Sequence, residues 1–230
     1  MLQLTFEMLI EHGHIKWQGS LRSTYNKYLH PDVLDHETEE YYKALNSGSL
    51  LSAFQFDSGA GVKAIRAIHP TSLLETANAN SLMRLMSDGE SEQPMDMYVR
   101  YKADLTEWLH DMEAYGLNPR EIDIIREHLD KDYGVCSSQE GMMLLVMDKR
   151  IAGFDVKEAN SLRKAVAKKK PKLLQEAHDL LFEKGKAIGC REEFLHYIWD
   201  VQIAMQRGYS FSILHTTGLT DSPFVVNLYI

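Results

Sequence analysis

Apolar side chains recur three and four positions apart through most of this 230-residue chain. That spacing places them on one face of an α-helix and favours a fold in which helices pack through such faces. Helix-start and helix-stop residues divide the pattern, such as Asn118-Pro119 and Gly48. The sequence therefore predicts a mainly α fold, with one helix beginning at Pro119 and others over residues 2–12, 20–29, 35–45, 72–86, 97–115, 138–148, 156–169, 172–187 and 192–206.

One short segment departs from the helical pattern. Residues 49–56 are rich in apolar and aromatic side chains and are followed by the Gly-rich stretch 58–61, which indicates a strand and then a turn. Residues 87–94 are polar and rich in turn-forming residues, so we expect an exposed loop there. The expected fold class is mainly α, with one or two short strands near 49–56.

The charge of the chain is unevenly distributed. The net charge is −8, but residues 1–130 carry 11 basic and 21 acidic side chains, and residues 131–230 carry 14 and 12. Residues 156–172 hold seven of those basic side chains and only one acidic residue, Glu158. An acidic protein with one basic stripe is expected to meet an anionic ligand at one place and not to coat nucleic acid along its whole surface.

Composition also excludes several classes of protein. No apolar run approaches the ~18–20 residues that a membrane-spanning helix needs, and the first residues lack the basic start of a signal peptide. The two cysteines, Cys136 and Cys190, are too few for a disulfide framework or a cysteine-based metal quartet. We therefore expect a cytoplasmic protein with no membrane partner.

The basic segment is predicted to form an amphipathic helix, residues 156–170. Asp155 followed by Glu158 has the spacing of a capping box. At 100° per residue the apolar positions share one face, which should pack inward, and three lysines share nearly the opposite one. Arg163 falls at the edge of the apolar face, where its planar fork suits two phosphate oxygens. The apolar positions are Val156, Ala159, Leu162 and Val166, and the lysines are Lys157, Lys164 and Lys168.

Other polar groups have simpler interpretations. A charge run on a helix is most often a solvated face, and this alternative stays open on the residues alone. His12 and His14 lack further ligands and are expected to be surface histidines. Asp130-Lys131-Asp132 is expected to be a solvated loop, and Cys136 a packed side chain and not a nucleophile.

Several phrases of the sequence resemble one family. Residues 133–143 read YGVCSSQEGMM, residues 153–155 read GFD, and residues 161–171 read SLRKAVAKKKP. In this order they resemble the fingers region of the bacterial C-family replicative DNA polymerases, the polymerase III alpha-subunit type. Similar phrases occur at 51–58, 68–75, 80–86 and 208–216, in spellings closer to phage-encoded members. The chain departs from the family at Leu85-Met86, where the family has Pro-Gly, and at Ile213, where it has a lysine.

The resemblance implies both a function and site residues. It implies a helical fingers domain that binds the incoming deoxynucleoside triphosphate and the DNA primer-template during DNA-templated synthesis. Its paired basic residues imply a nucleotide-binding group, Arg163, Lys164 and Lys168. It also implies a DNA-binding group, Lys157, Lys169, Lys170, Arg84 and His215. Residues 1–48 would be a helical segment that follows the palm domain, and residues 49–230 the fingers region.

The metal-binding part of such a polymerase is not recognisable in these 230 residues. In the family, palm aspartates hold two Mg²⁺ ions, and neither palm motif is found here. The resemblance therefore implies a palm-containing polymerase chain in trans, no metal site and no catalytic residue in this chain, and no activity for the chain alone. Two alternatives stay open, namely a non-catalytic helical module that binds DNA or protein, and a truncated relic without function.

Overall fold

The mainly α fold class is confirmed by the computed structural model, which describes residues 2–35, 38–48, 50, 53, 55–85, 92–168 and 170–204. Twelve α-helices occur in these ranges: α1 (Leu2–Glu11), α2 (Leu21–Tyr28), α3 (Glu39–Asn46), α4 (Gly59–Ile68), α5 (Leu73–Leu82), α6 (Pro94–Ala103), α7 (Leu105–Ala114), α8 (Pro119–Leu129), α9 (Gln139–Met147), α10 (Val156–Lys168), α11 (Pro171–Ala187) and α12 (Glu192–His196). Pro31–Val33 and Asp130–Asp132 form 3₁₀ turns, and Tyr197–Ala204 forms a π-helix. Within these ranges no helix combines the length and the apolar character needed to cross a membrane.

The strand predicted at 49–56 is not present among the described residues of that segment. The N–H of Ala53 donates to the carbonyl of Leu50 at 3.0 Å, and the N–H of Phe56 donates to the carbonyl of Ala53 at 3.0 Å. These are two successive turns, and all three side chains are buried. The buried apolar side chains are thus three residues apart, and not two residues apart as they would be on one face of a strand. Residues 49, 51, 52 and 54 lie outside the described residues.

Helix α4 begins where the sequence predicted only a turn. The hydroxyl of Ser58 accepts a hydrogen bond from the N–H of Gly61 at 3.1 Å and caps the helix. This helix could not be predicted from the sequence, because its first turn contains two glycines and glycine lowers helix propensity. Gly61 is nevertheless required here, since a Cβ at this position would lie 2.4 Å from Cα of Phe56.

Other predicted boundaries change where the chain bends. The single helix expected over 97–115 is two helices, because Asp104 has extended backbone angles and its carboxylate caps α7 through the N–H of Thr106 at 2.9 Å. Helix α3 begins at Glu39, with Thr38 and not Asp35 before it. Helix α5 ends at Leu82. The loop expected at 87–94 lies largely outside the described residues, and Pro94 already belongs to α6.

Two groups of buried apolar side chains stabilise the described part of the chain. The larger group runs from Leu34 to Ile203 and includes Trp108, Tyr98 and Phe194. The smaller one joins α1 and α2 through Phe6, Ile15 and Leu29. From Glu75 to Leu82 every residue of α5 is buried. Polar groups on this central helix therefore need partners inside the protein.

Candidate functional site

Helix α10 has the capping box that the sequence predicted. The N–H of Glu158 donates to Oδ1 of Asp155 at 2.8 Å, and the N–H of Asp155 donates to Oε2 of Glu158 at 2.8 Å. Three of the four predicted inward positions are buried, namely Ala159, Leu162 and Val166. Val156 is 63% exposed, contrary to the prediction. The buried face of α10 includes Ala165 instead. The centre of this face lies about 100° around the helix axis from Val156, which places Val156 at its edge.

The basic helix is fixed to its neighbours on two sides. It packs against α9 and against α11. Nζ of Lys184 on α11 lies 2.5 Å from Oε2 of Glu158, and both side chains are about one third exposed or less. Since Glu158 also caps α10, this one carboxylate joins the start of α10 to α11. The basic side chains of α10 are thus carried by a rigid element.

Three lysines of α10 share an exposed stripe. Lys157, Lys164 and Lys168 stand seven and four positions apart, which places them on one helix face over about 16 Å. In the ranges that the structure describes, no carboxylate lies within ion-pair distance of any of them. Lys170 is also exposed and lies two residues beyond the end of α10. The stripe therefore presents to solvent positive charges that form no ion pair among the described residues.

Arg163 lies on a different side of α10 and is half-buried. Its Nε and Nη2 donate to Oδ1 of Asn160 at 3.0 and 2.8 Å. Its Nη1 donates to Oε1 of Gln139, at the start of α9, at 2.9 Å. Both acceptors are neutral amides, so the guanidinium is oriented while its charge remains uncompensated by a carboxylate among the described residues.

Four other arginines show the contrasting arrangement. Arg100, Arg126, Arg150 and Arg191 each donate to at least one carboxylate. At Arg150 the hydrogen bonds to Asp148 are strong enough to hold the pKa of that carboxyl far below its usual range, although burial opposes this. The charge of these four arginines is balanced within the fold. The charge of Arg163 is not balanced by a carboxylate among the described residues.

The loop that precedes α9 is held by buried amides from two other elements. Gln202 of the π-helix accepts from the N–H of Cys136 at 3.1 Å and donates to the carbonyl of Gly134 at 3.0 Å. The hydroxyl of Ser137 donates to Oδ1 of Asn78 on α5 at 2.9 Å. Cys136 is buried, as predicted. These contacts fix the loop that positions Gln139.

Asp132 is part of this buried network, which corrects the expectation of a solvated loop at 130–132. Its Oδ1 accepts a hydrogen bond from Nδ2 of Asn78 at 3.0 Å. Burial raises its pKa, since the charged form is poorly solvated there, and the bond from Asn78 only partly opposes this. Asp130 is exposed and pairs with Arg126 at 3.1 Å. The two aspartates thus have different environments. In the described ranges, no group of three or more His, Cys, Asp or Glu side chains is arranged to hold a metal ion.

The structure brings some of the predicted site residues together and not others. Lys157, Arg163, Lys164 and Lys168 lie on one helix, with Lys170 close after it. Arg84 is exposed on a different element, in the turn after α5. Lys169 and His215 lie outside the described residues. The assignment of all these residues to nucleotide or DNA stays a prediction.

Sequence reasoning missed the polar partners of the site. Gln139 was visible inside the phrase that carries the family resemblance, but it is 24 residues from Arg163 and no local pattern links the two. Asn160 stands three positions before Arg163, a spacing at which side chains on a helix are neighbours, and this signal was available. Gln202 is 66 residues from Cys136 and could be found only in the fold.

Comparisons with known proteins show which family this chain resembles. A family model of the bacterial DNA polymerase III alpha subunit finger domain matches residues 14–189. The probable DNA polymerase YorL of Bacillus subtilis and a DNA-directed DNA polymerase of Bacillus phage SPbeta are each 49% identical to this chain over 215 residues, which cover 94% of the chain and 16% of the relative. A DNA polymerase III subunit alpha of Mycobacterium leprae is 25% identical over 178 residues, 77% of the chain and 14% of the relative. The chain thus spans about a sixth of the length of these relatives or less.

Proposed function

Because this chain belongs to the family of bacterial DNA polymerase III alpha subunit finger domains, we propose that it binds the incoming deoxynucleoside triphosphate and the primer-template in DNA-templated DNA synthesis. It would act in the cytoplasm, or in the host cytoplasm if it is phage-encoded. The palm that holds two Mg²⁺ ions lies outside these 230 residues in this proposal. The fingers contribute positioning and positive charge.

The observation that carries this proposal is the charge pattern of α10. Its lysine stripe and Arg163 present four positive charges that form no ion pair with a carboxylate among the described residues, on a helix fixed at its first turn. Phosphoryl transfer depends mainly on positioning and on neutralising the charge of the phosphates. We assign Arg163, Lys164 and Lys168 to the triphosphate. The DNA backbone would be met by Lys157, Lys169, Lys170, Arg84 and His215.

The assignment is tested in an enzyme reconstituted from this chain and a palm-bearing chain. We expect Arg163→Ala and Lys164→Ala each to lower the efficiency of single-nucleotide incorporation about tenfold to a hundredfold, because a charged hydrogen bond is worth about 1.5–3 kcal/mol. Primer-template affinity should change much less, since these groups would face the triphosphate. Arg126→Ala and Lys63→Ala, which remove exposed cations from α8 and α4, serve as matched controls.

Normal incorporation by both α10 variants, together with reduced DNA affinity, would show that the helix holds DNA and not the nucleotide. No incorporation by the reconstituted enzyme, with DNA still bound by this chain, would favour the alternative, a non-catalytic module that binds nucleic acid. Loss of incorporation at unchanged DNA affinity supports the nucleotide role.

A further inference from the structure

The partners of Arg163 are unlike those of the other arginines described above. Three of its N–H groups donate to amide oxygens, two bonds to Asn160 and one to Gln139. A guanidinium has five N–H groups. Two remain without a partner in the described part of the chain, one on each terminal nitrogen. Two amides therefore fix the fork, and two of its donors stay available for an anion.

We propose that Gln139 is a positioning residue that aims Arg163 at the triphosphate, with Asn160 holding the fork from the other side. This inference rests on the proposed function, because it takes the nucleotide phosphates as the anion. An amide oxygen orients a guanidinium through its dipole but adds no opposite charge. A carboxylate at the same position would orient it equally well and would also neutralise it, as Asp148 does at Arg150.

Gln139 is itself held in a fixed position. It is 7% exposed and is the first residue of α9, directly after Ser138, whose hydroxyl caps the helix through the N–H of Gly141 at 3.0 Å. The preceding loop is anchored at Cys136 by Gln202 and at Ser137 by Asn78. Because this acceptor is fixed, Arg163 is already held in one orientation. It therefore loses less conformational entropy when it binds an anion. The amide thus connects the buried core to the basic helix.

The decisive substitution is Gln139→Glu, which keeps the size and the acceptor but adds a charge. In the reconstituted polymerase we expect it to lower incorporation efficiency about tenfold or more, mainly through a higher KM for the nucleotide, because Arg163 would be paired internally. Gln139→Met, which keeps the volume and removes the acceptor, should give a smaller loss. Gln3→Glu, which adds the same charge to an exposed position on α1, is the matched control, and thermal melting checks that each variant is folded.

The double variant separates positioning from a general structural role. If Gln139 acts through Arg163, adding Gln139→Glu to Arg163→Ala should change incorporation less than about twofold, because the group it would neutralise is gone. A merely structural role predicts that the two losses multiply.

The possible outcomes are distinct. If Arg163→Ala incorporates normally, the proposed nucleotide role of this helix is wrong, and the inference fails with it. If Arg163→Ala is impaired but Gln139→Glu is normal, or its effect multiplies in the double variant, the inference is overturned while the proposed function stands. Impairment of both single variants without further loss in the double supports the inference.

Discussion

Glu75 shows how one buried carboxylate can join distant parts of this chain. It accepts hydrogen bonds from Nζ of Lys102 at 2.8 Å, from the hydroxyl of Tyr133 at 2.7 Å and from the N–H of Thr71 at 2.7 Å. Burial alone would raise its pKa, but the bonds from these three groups outweigh burial and lower it. Lys102 also donates to the carbonyls of Ile68 and His69, at the end of α4. A single ion pair therefore ties α4, α5, α6 and the loop before α9 together.

At this scale we expect Lys102→Met to lower the free energy of unfolding by about 3 kcal/mol, because it leaves a buried carboxylate without its cation. The stabilisation by Glu75 is fully present above the pKa of its carboxyl in the unfolded chain, and it is lost as the pH falls through the lowered folded pKa. The difference between the variant and the wild type should therefore shrink at acidic pH. Urea denaturation at pH ~7 and pH ~3 measures both effects.

Lys43→Met, which breaks the exposed pair between Lys43 and Glu39, is the control and should have little effect. An equal loss of stability in the two variants would contradict the role of Glu75 as a buried junction.

At the scale of the element, α4 illustrates how packing determines where a helix can form. Two glycines stand in its first turn, and only one has a close neighbour. A Cβ on Gly61 would meet backbone atoms of Phe56 and Gln55 at 2.4 and 2.5 Å, whereas a Cβ on Gly59 would meet no atom within 4 Å. The backbone at Gln55 and Phe56 thus lies directly against the helix that follows it.

Gly61→Ala is expected to lower the free energy of unfolding by about 1–3 kcal/mol, since backbone atoms must move to admit the methyl group. Gly59→Ala should be neutral or stabilise the protein by up to about 1 kcal/mol, because alanine restricts the unfolded chain more than glycine does. Guanidinium denaturation of the two variants provides the comparison. A larger loss at Gly59 than at Gly61 would show that the described packing of α4 is wrong.

At the scale of the whole molecule, the positive charge of α10 stands against an acidic background. The chain carries 33 acidic and 25 basic side chains. Long-range repulsion of nucleic acid should therefore oppose the local attraction by α10, and salt screens both. This balance predicts weak binding of DNA by the chain alone.

We expect DNA binding by the isolated chain to weaken steeply with salt, and the combined substitution of Lys157, Lys169 and Lys170 by alanine to flatten that dependence by about one unit of slope per lost phosphate contact. Fluorescence anisotropy with a labelled primer-template over a series of KCl concentrations measures the slope. Alanine at Lys16, Lys63 and Lys131, three exposed lysines on other elements, is the charge-matched control. A wild-type slope for the triple variant would exclude these three lysines as the DNA contact surface.

The isolated chain is also expected to incorporate no nucleotide with Mg²⁺, primer-template and all four deoxynucleotides. Two-metal catalysis requires clustered carboxylates, and the sequence carries no recognisable palm motif. A primer-extension assay tests this. Extension by pure protein that EDTA abolishes would show that the chain holds a metal site of its own.

The sequence by itself determined the helical class, the capped basic helix and the family, because these depend on local spacing and on ordered phrases within the chain. The tertiary structure decided that Leu50, Ala53 and Phe56 are joined by turns, that Asp104 divides one predicted helix into two, and that Asp132 is buried. It also decided which groups hold Arg163. Burial and hydrogen-bond partners come from side chains far apart in the sequence, as Gln139 is from Arg163 and Gln202 from Cys136. Periodicity along one segment carries no information about such pairs, whereas packing brings them within hydrogen-bond distance.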